Sequence, residues 1–389
     1  MVIFRTTHKV YDIEKKTDVK ILLLGEYSSV HCTLAEGLRD LGHDVTVASN
    51  GDFWREYPRD INLARDNKFV FLWRLLRALP RMKGYDIVQL VNPMFMELKA
   101  ERLFPIYNYL RRNNGRIVLC AVGDDHYCSY VHRHMKPMRY SDYNYGAVER
   151  CTAYAGDVYN DWVGTEKERL NRYIAADCDA IVAGSYEYWL PYSVTEDTDN
   201  EGRKLCEKLH LVPYPFKMPA QVHPEPSEKL RVFIGISKER AEFKGTDIML
   251  RAAKDLLKAY PERMELRTAE GLPFAEYSRM MDGSDVLLDQ LYSYGPGMNA
   301  LLSLSKGIVT LTGGEPEHYG IMGENECRPI IAVQPDYESV YHELEKLVLH
   351  PERLAELKNE SRRYVARNYD YHKIAKQYEE IYHDCCNRT

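Results

Sequence analysis

Apolar residues in this chain come in short runs separated by amphipathic stretches. Val19 to Leu24 is a compact aliphatic run ending at Gly25. A loop from Glu26 to His31 follows, then a segment with Leu34, Ala35, Leu38 and Leu41 at helical spacing. Gly42-His43-Asp44 stops that helix, and Val45 to Ala48 reads as the next strand. Two buried strands around an amphipathic helix predict a βαβ unit and a parallel sheet. The rhythm recurs with Ile87–Leu90, a helix from about Phe95 to Asn113, Ile117–Val122, and Ala180–Ala183 with its polar exit Gly184-Ser185. This half therefore reads as a doubly wound α/β domain.

Prolines at 213, 215, 219, 224 and 226 interrupt the pattern, which restarts beyond them. Proline blocks helix and central strand alike, so this passage predicts a linker. Val232–Gly235, Met264–Arg267, Val286–Asp289 and Ile308–Leu311 then read as strands. Helices are expected over Thr246–Tyr260, from about Asn299, and over Tyr371–Tyr382, where Ile374, Tyr378 and Ile381 share a face. The expected division is 1–212, a linker over 213–230, a second α/β domain over 231–366, and a final helix over 367–389. Two such domains place a cleft where both sheets present their strand C-termini.

Composition narrows the possible partners. The 389 residues are 45% hydrophobic and 28% charged, with a net charge of -6, so no global basic field would draw nucleic acid. The nine cysteines show no CxxC pair and no His/Cys metal spacing, which predicts reduced thiols in the cytoplasm. Cys385 and Cys386 are read as part of a polar tail. Met1 to Lys16 lacks the apolar core of a secretory signal. Phe69, Phe71, Leu72, Trp73, Leu75 and Leu76 alternate with Lys68, Arg74, Arg77, Arg81 and Lys83. The pattern fits a core helix with a charged outer face, the favoured reading, or a peripheral contact with anionic lipid at the inner face of a membrane.

Two stretches carry candidate chemistry. Gly235 to Asp247 leaves a strand, presents Lys238, Arg240 and Lys244, and enters a helix. Cations there can neutralise a diphosphate, with the helix amides adding positive potential. A solvated loop paired with Glu239 and Glu242 explains the same charges. Asp289 to Asn299 holds Gly295 and Gly297 ahead of another helix, a turn that admits close backbone approach by a ligand. On the N-terminal half, Gly123-Asp124-Asp125-His126 follows a strand directly, making Asp125 and His126 polar cleft candidates; capping of the next helix is the alternative. His31 could line the phosphate side or simply be packed.

The order strand–Gly–Lys/Arg–Lys-Gly–helix, then acidic strand end–Gly-x-Gly–helix–Lys-Gly–strand, resembles the donor domain of GT-B glycosyltransferases, most closely the retaining family four. The likeness spans the Gly25 loop, Gly42-His43-Asp44-Val45, Lys244-Gly245-Thr246-Asp247 and Ser305-Lys306-Gly307-Ile308-Val309. It implies two Rossmann-like domains, with the last helix crossing back to the first. It implies a nucleotide-diphosphate sugar as donor substrate, a glycan or lipid-linked acceptor, and retention. No permanently bound cofactor is expected, and no metal, since no Asp-x-Asp faces the donor loops. Lys238 and Lys244 correspond to the basic pair on the diphosphate, with Arg240 as an alternative; Gly297, Met298 and Asn299 correspond to the phosphate turn. Glu270 to Leu272 falls where the family's backbone meets the nucleobase, and Asp125 with His126 where it meets sugar or acceptor. Leu302 stands where the family has a ribose-binding glutamate. That departure keeps a non-catalytic GT-B binding protein in view, alongside a sugar-nucleotide epimerase; the latter needs an acid–base cluster that the sequence does not locate.

Overall fold

Alternation along the first aliphatic strand sets the N-terminal core. Ile21 and Leu23 point to one face of a sheet with Val45, Val47, Val118 and Cys120. Leu22 and Leu24 point to the other with Val88, Leu90 and Leu119. Both faces are buried, so the strands read as continuous apolar runs. The computed structural model describes residues 18–52, 55–65, 67–220 and 227–387. The Met1–Lys16 stretch and part of the expected linker, 221–226, lie outside them. In the first sheet the strand order is Leu209–Leu211, Ala180–Ala183, Arg116–Ala121, Ile87–Leu90, Lys20–Leu24, Asp44–Ser49 and Ile61–Asn62, all parallel. The second sheet is also parallel, ordered Met264–Glu270, Leu230–Ile236, Val286–Leu288, Val309–Thr312 and Ile331–Ala332.

Helices cover each sheet. On the second, Met249, Ala252 and Leu256 of Thr246–Ala259 pack with Val340 and Leu344 of Tyr337–Leu349 over Val232, Ile234 and Val286. The final helix, Tyr371–Asn387, leaves this domain and lies on the first sheet beside Val30–Asp40. The two helices approach so closely that a Cβ on Gly37 would stand 2.8 Å from Ala375 Cβ. Tyr382 donates its hydroxyl to Gln89 Oε1 at 2.7 Å beneath the sheet. Cys385 and Cys386 belong to this helix, with Cys385 buried, so the expected polar tail is corrected to a packed helical turn. The two crossings between domains run side by side: the Phe216 amide donates to the Tyr369 carbonyl at 2.8 Å, and Phe216 bridges to Asp370.

The sequence pattern did not foretell a small antiparallel sheet of Tyr140–Ser141, Asn144–Tyr145 and Val148–Glu149. It extends from the N-terminal domain across to the other. Arg139 pairs with Glu315 at 2.6 Å and with Glu317, while the Tyr140 hydroxyl donates to Glu315. Arg150 donates to the Glu242 carbonyl at 2.8 Å and lies 3.1 Å over the Tyr292 ring. These contacts strap the domains together at both sides of the cleft.

Candidate anion-binding cleft

The carboxyl ends of the two sheets face a cleft of about 480 Å³. Its C-terminal wall comes from two strand-to-helix turns. In the first, the chain leaves Leu230–Ile236, passes through a short helical turn, and reaches Lys244 just before Gly245. Gly245 takes a left-handed φ of +74° and caps Thr246–Ala259, a conformation that favours glycine. Arg240 and Lys244 both line the cleft. The Arg240 guanidinium lies 4.9 Å over the Tyr154 ring, and its Nε is buried with no hydrogen-bond partner. Burial lowers the Lys244 pKa, opposed in part by Asp289.

In the second turn, Gly297 is the N-cap of Met298–Ser305 in extended backbone, and no side chain caps that helix. Its first amides therefore remain without an intrahelical partner. Asn299 is fixed by donating to Asp289 Oδ1 at 2.8 Å and accepting from the Tyr277 hydroxyl at 3.0 Å. Tyr277 packs directly over Gly235, where a Cβ would stand 2.6 Å from its hydroxyl, so one ring couples the two turns. Gly295 serves a different need from close ligand approach: a Cβ there would lie 2.4 Å from His318 Nδ1. Both glycines line the cleft, but only at Gly297 is the space beside the backbone open.

The opposite wall is acidic. Asp124 and Asp142 line it, and burial raises both carboxyls. Asp142 reaches about 7, pushed up by burial first and then by Asp124. Glu187, from Tyr186–Val194, crosses to the other domain and accepts from the amides of Tyr294 at 2.5 Å and Gly295 at 2.8 Å. His132 also faces the cleft; burial lowers it to about 4, and its Nε2 meets the Glu187 carbonyl at 2.9 Å. Among the described residues no three His, Cys, Asp or Glu side chains are grouped as a metal would require.

Of the residues singled out in the sequence, Arg240, Lys244, Gly297, Met298 and Asn299 line this one cleft. Lys238 and Glu270 do not. They pair with each other at 2.5 Å outside it, with the Lys238 side chain 79% exposed, so two opposite charges on neighbouring strand ends satisfy one another. Leu272 packs its side chain on Phe233, Ala269 and Met281. The expectation for Asp125 and His126 is corrected, because both stand behind the wall. Asp125 caps the helix His126–His134, accepting from the Cys128 amide and the Tyr192 hydroxyl, each at 2.7 Å. The His126 ring is buried 3.5 Å from Glu168 and stacks on Tyr130. A side chain at an N-cap folds onto its own helix, which leaves the preceding Asp124 to face the ligand space. His31 is packed, with Nδ1 2.8 Å from the Gly25 carbonyl. Asp142, Glu187 and Asp124 were not singled out. The hairpin signal Asn144-Tyr145-Gly146 and the polar exit after Ala183 were the available clues.

Two Rossmann-like domains, a cleft at the carboxyl ends of both sheets and a last helix returning to the first domain make this a GT-B fold. Among solved structures it is similar to HepE of Anabaena in complex with UDP-glucose, with TM-score 0.55, 11% identity, and 93% of this chain and 98% of that one covered. It is similar to sucrose-phosphate synthase of Thermosynechococcus elongatus, with TM-score 0.58, 13% identity, and coverage of 94% and 98%. WaaG, a glycosyltransferase involved in lipopolysaccharide biosynthesis, aligns with TM-score 0.51, 12% identity, and coverage of 95% and 100%. No protein-family model matches the chain, and no curated protein matches it in sequence.

Proposed function

We propose that this protein is a glycosyltransferase that moves a sugar from a nucleotide-diphosphate donor to a glycan or lipid-linked acceptor, with retention of configuration. One observation carries the reading. The uncapped start of Met298–Ser305 and the cation of Lys244 open onto the same cleft, and no carboxylate is within ion-pair distance of Lys244 among the described residues. A diphosphate leaving group needs that combination of oriented amides and point charge. Arg240 adds a second cation, and the Glu270–Leu272 backbone remains the proposed neighbour of the nucleobase. The chemistry then rests on stabilising the departing diphosphate and on holding the acceptor in line, with a diphosphate oxygen taking the acceptor proton on the same face. Asp124, rather than Asp125 or His126, is the acid placed to touch sugar or acceptor. The reaction belongs in the cytoplasm, where the scattered cysteines stay reduced.

A thermal-shift panel of nucleoside diphosphates tests the binding half. One of them should raise the melting temperature, and Lys244→Ala should remove most of that shift. Incubation with the matching nucleotide sugar and glycan acceptors, with the product anomer read by NMR, tests transfer and retention. No stabilisation by any diphosphate would sink the reading. Leu302 supports a second one. It packs against the buried cluster of Phe233, Ala269, Met281, Leu287 and Ile308, so its position offers ribose no acceptor. Stabilisation by a diphosphate without hydrolysis or transfer of any donor would favour a non-catalytic binding protein.

A further inference from the structure

The helix Lys68–Ala78 lies on the N-terminal domain and buries only Phe71, Leu75 and Ala78. Its remaining apolar side chains face solvent: Phe69 is 83% exposed, Leu72 53%, Trp73 57% and Leu76 61%. A core helix would have hidden them, so the favoured sequence reading is corrected. Large exposed apolar clusters mark contact surfaces. Charge says what kind. From Asn67 to Gly84 there is no acidic residue, while Lys68, Arg74, Arg77, Arg81 and Lys83 are basic, in a chain of net charge -6. The Arg77 guanidinium sits 4.6 Å over the Trp73 ring, joining cation and aromatic in one patch.

We propose that this helix docks the protein on an anionic lipid bilayer, lying in the plane of the interface with Phe69, Leu72, Trp73 and Leu76 in the acyl boundary. Basic side chains beside an aromatic–leucine face complement anionic headgroups and hydrocarbon together. A second pocket of about 430 Å³ is lined in part by Leu63, Met94, Phe95 and Met96, with Glu97 and Lys167 among its polar groups. Arg74 holds the Ala64 carbonyl at 2.8 Å, which ties the helix to the pocket's Leu63. The same pocket shares Tyr27, Gly123 and Asp124 with the main cleft. A docked bilayer would thus lie beside a path leading into the cleft. Docking stands on these observations alone and does not require transfer.

Flotation of the full chain with vesicles is the test. It should rise with vesicles of phosphatidylcholine plus phosphatidylglycerol, remain low with phosphatidylcholine alone, and weaken as salt is added. F69S/W73S should lower vesicle affinity roughly tenfold or more, since each removes exposed apolar surface that the lipid would cover. R77E/K83E should lower binding to anionic vesicles specifically. Both variants should keep the wild-type melting temperature and nucleotide response, which separates this test from that of the cleft. Flotation that is absent, or unchanged in both variants, overturns the proposal. So does concentration-dependent self-association in sedimentation velocity that F69S/W73S abolishes, which would assign the face to a second copy.

Discussion

The two domains solve the same turn in opposite ways. After the first strand, Gly25 leads into Val30–Asp40; after Val286–Leu288, Gly295-Pro296-Gly297 leads into Met298–Ser305. Both helices point their N-termini toward the cleft side of a parallel sheet. In the first, Glu26 folds back and accepts from the amides of His31 at 3.2 Å and Cys32 at 2.8 Å. Burial raises that carboxyl to about 7, and the two amide bonds offset part of the cost. In the second, glycine at the N-cap leaves the amides open, with Lys244 close by. Topology alone therefore does not make an anion site. A carboxylate within reach of the first amides, as Glu26 is and as nothing in the Gly295–Gly297 turn is, decides whether the positive end of the helix is spent internally or offered to a ligand.

The contrast can be broken at its strongest point. Lys244→Ala should weaken nucleoside diphosphate affinity by roughly 100-fold, the scale of a lost charge-assisted contact, while leaving the fold intact. Titration calorimetry reads this, and unchanged affinity would mean the cation is not part of the grip. Glu26→Ala strips the plug from the first helix. It should cost about 1–2 kcal/mol of stability in denaturant melts without changing donor affinity. Gly297→Asp makes the second turn resemble the first. Its extended backbone and open surroundings admit a side chain, with Gln290 Nε2 at 3.8 Å the nearest group to a Cβ. Diphosphate affinity should fall roughly tenfold, while stability changes by only a few tenths of a kcal/mol.

The smallest effect is that of pH. Asp142 titrates at about 7 and faces Asp124, Arg150, Arg240 and Glu187. Its ionisation adds negative charge opposite the Gly297 turn, so diphosphate affinity should decline a few-fold between about pH 6 and 8. Asp142→Asn should flatten that slope. Because the folded pKa lies above the unfolded one, the group's contribution to stability is full at acidic pH and is lost as pH rises through about 7. The same variant should remove that loss from a melting-temperature profile.

Much of the fold was written in the aliphatic runs, because strands buried on both faces carry a strong local signal. Ile87–Leu90 and Ala180–Ala183 match residue for residue. Edge strands such as Ile61–Asn62 and Ile331–Ala332 are two residues long and carry none. That Arg240, Lys244 and the Gly297 turn share one cleft was legible because turn chemistry is local. That the Lys238 and Glu270 side chains fall outside it was not legible, because their mutual pairing joins distant positions. Asp125 and Asp124 are chain neighbours with opposite fates. Only the start of the helix at His126 decides which becomes the cap. Glu187 and Asp142 could not be read at all as cleft residues, since their roles exist only once two domains face each other.

The Phe216–Asp370 bridge gives the molecule a fulcrum. Both covalent passages between the domains meet there, so any tilt of one domain against the other would have to turn about that bridge. The Arg139–Glu315 and Arg150–Glu242 contacts then act as clasps on a lever arm. Parting the domains at the Gly297 turn would require both clasps and the Glu187 contacts with the Tyr294 and Gly295 amides to be released together.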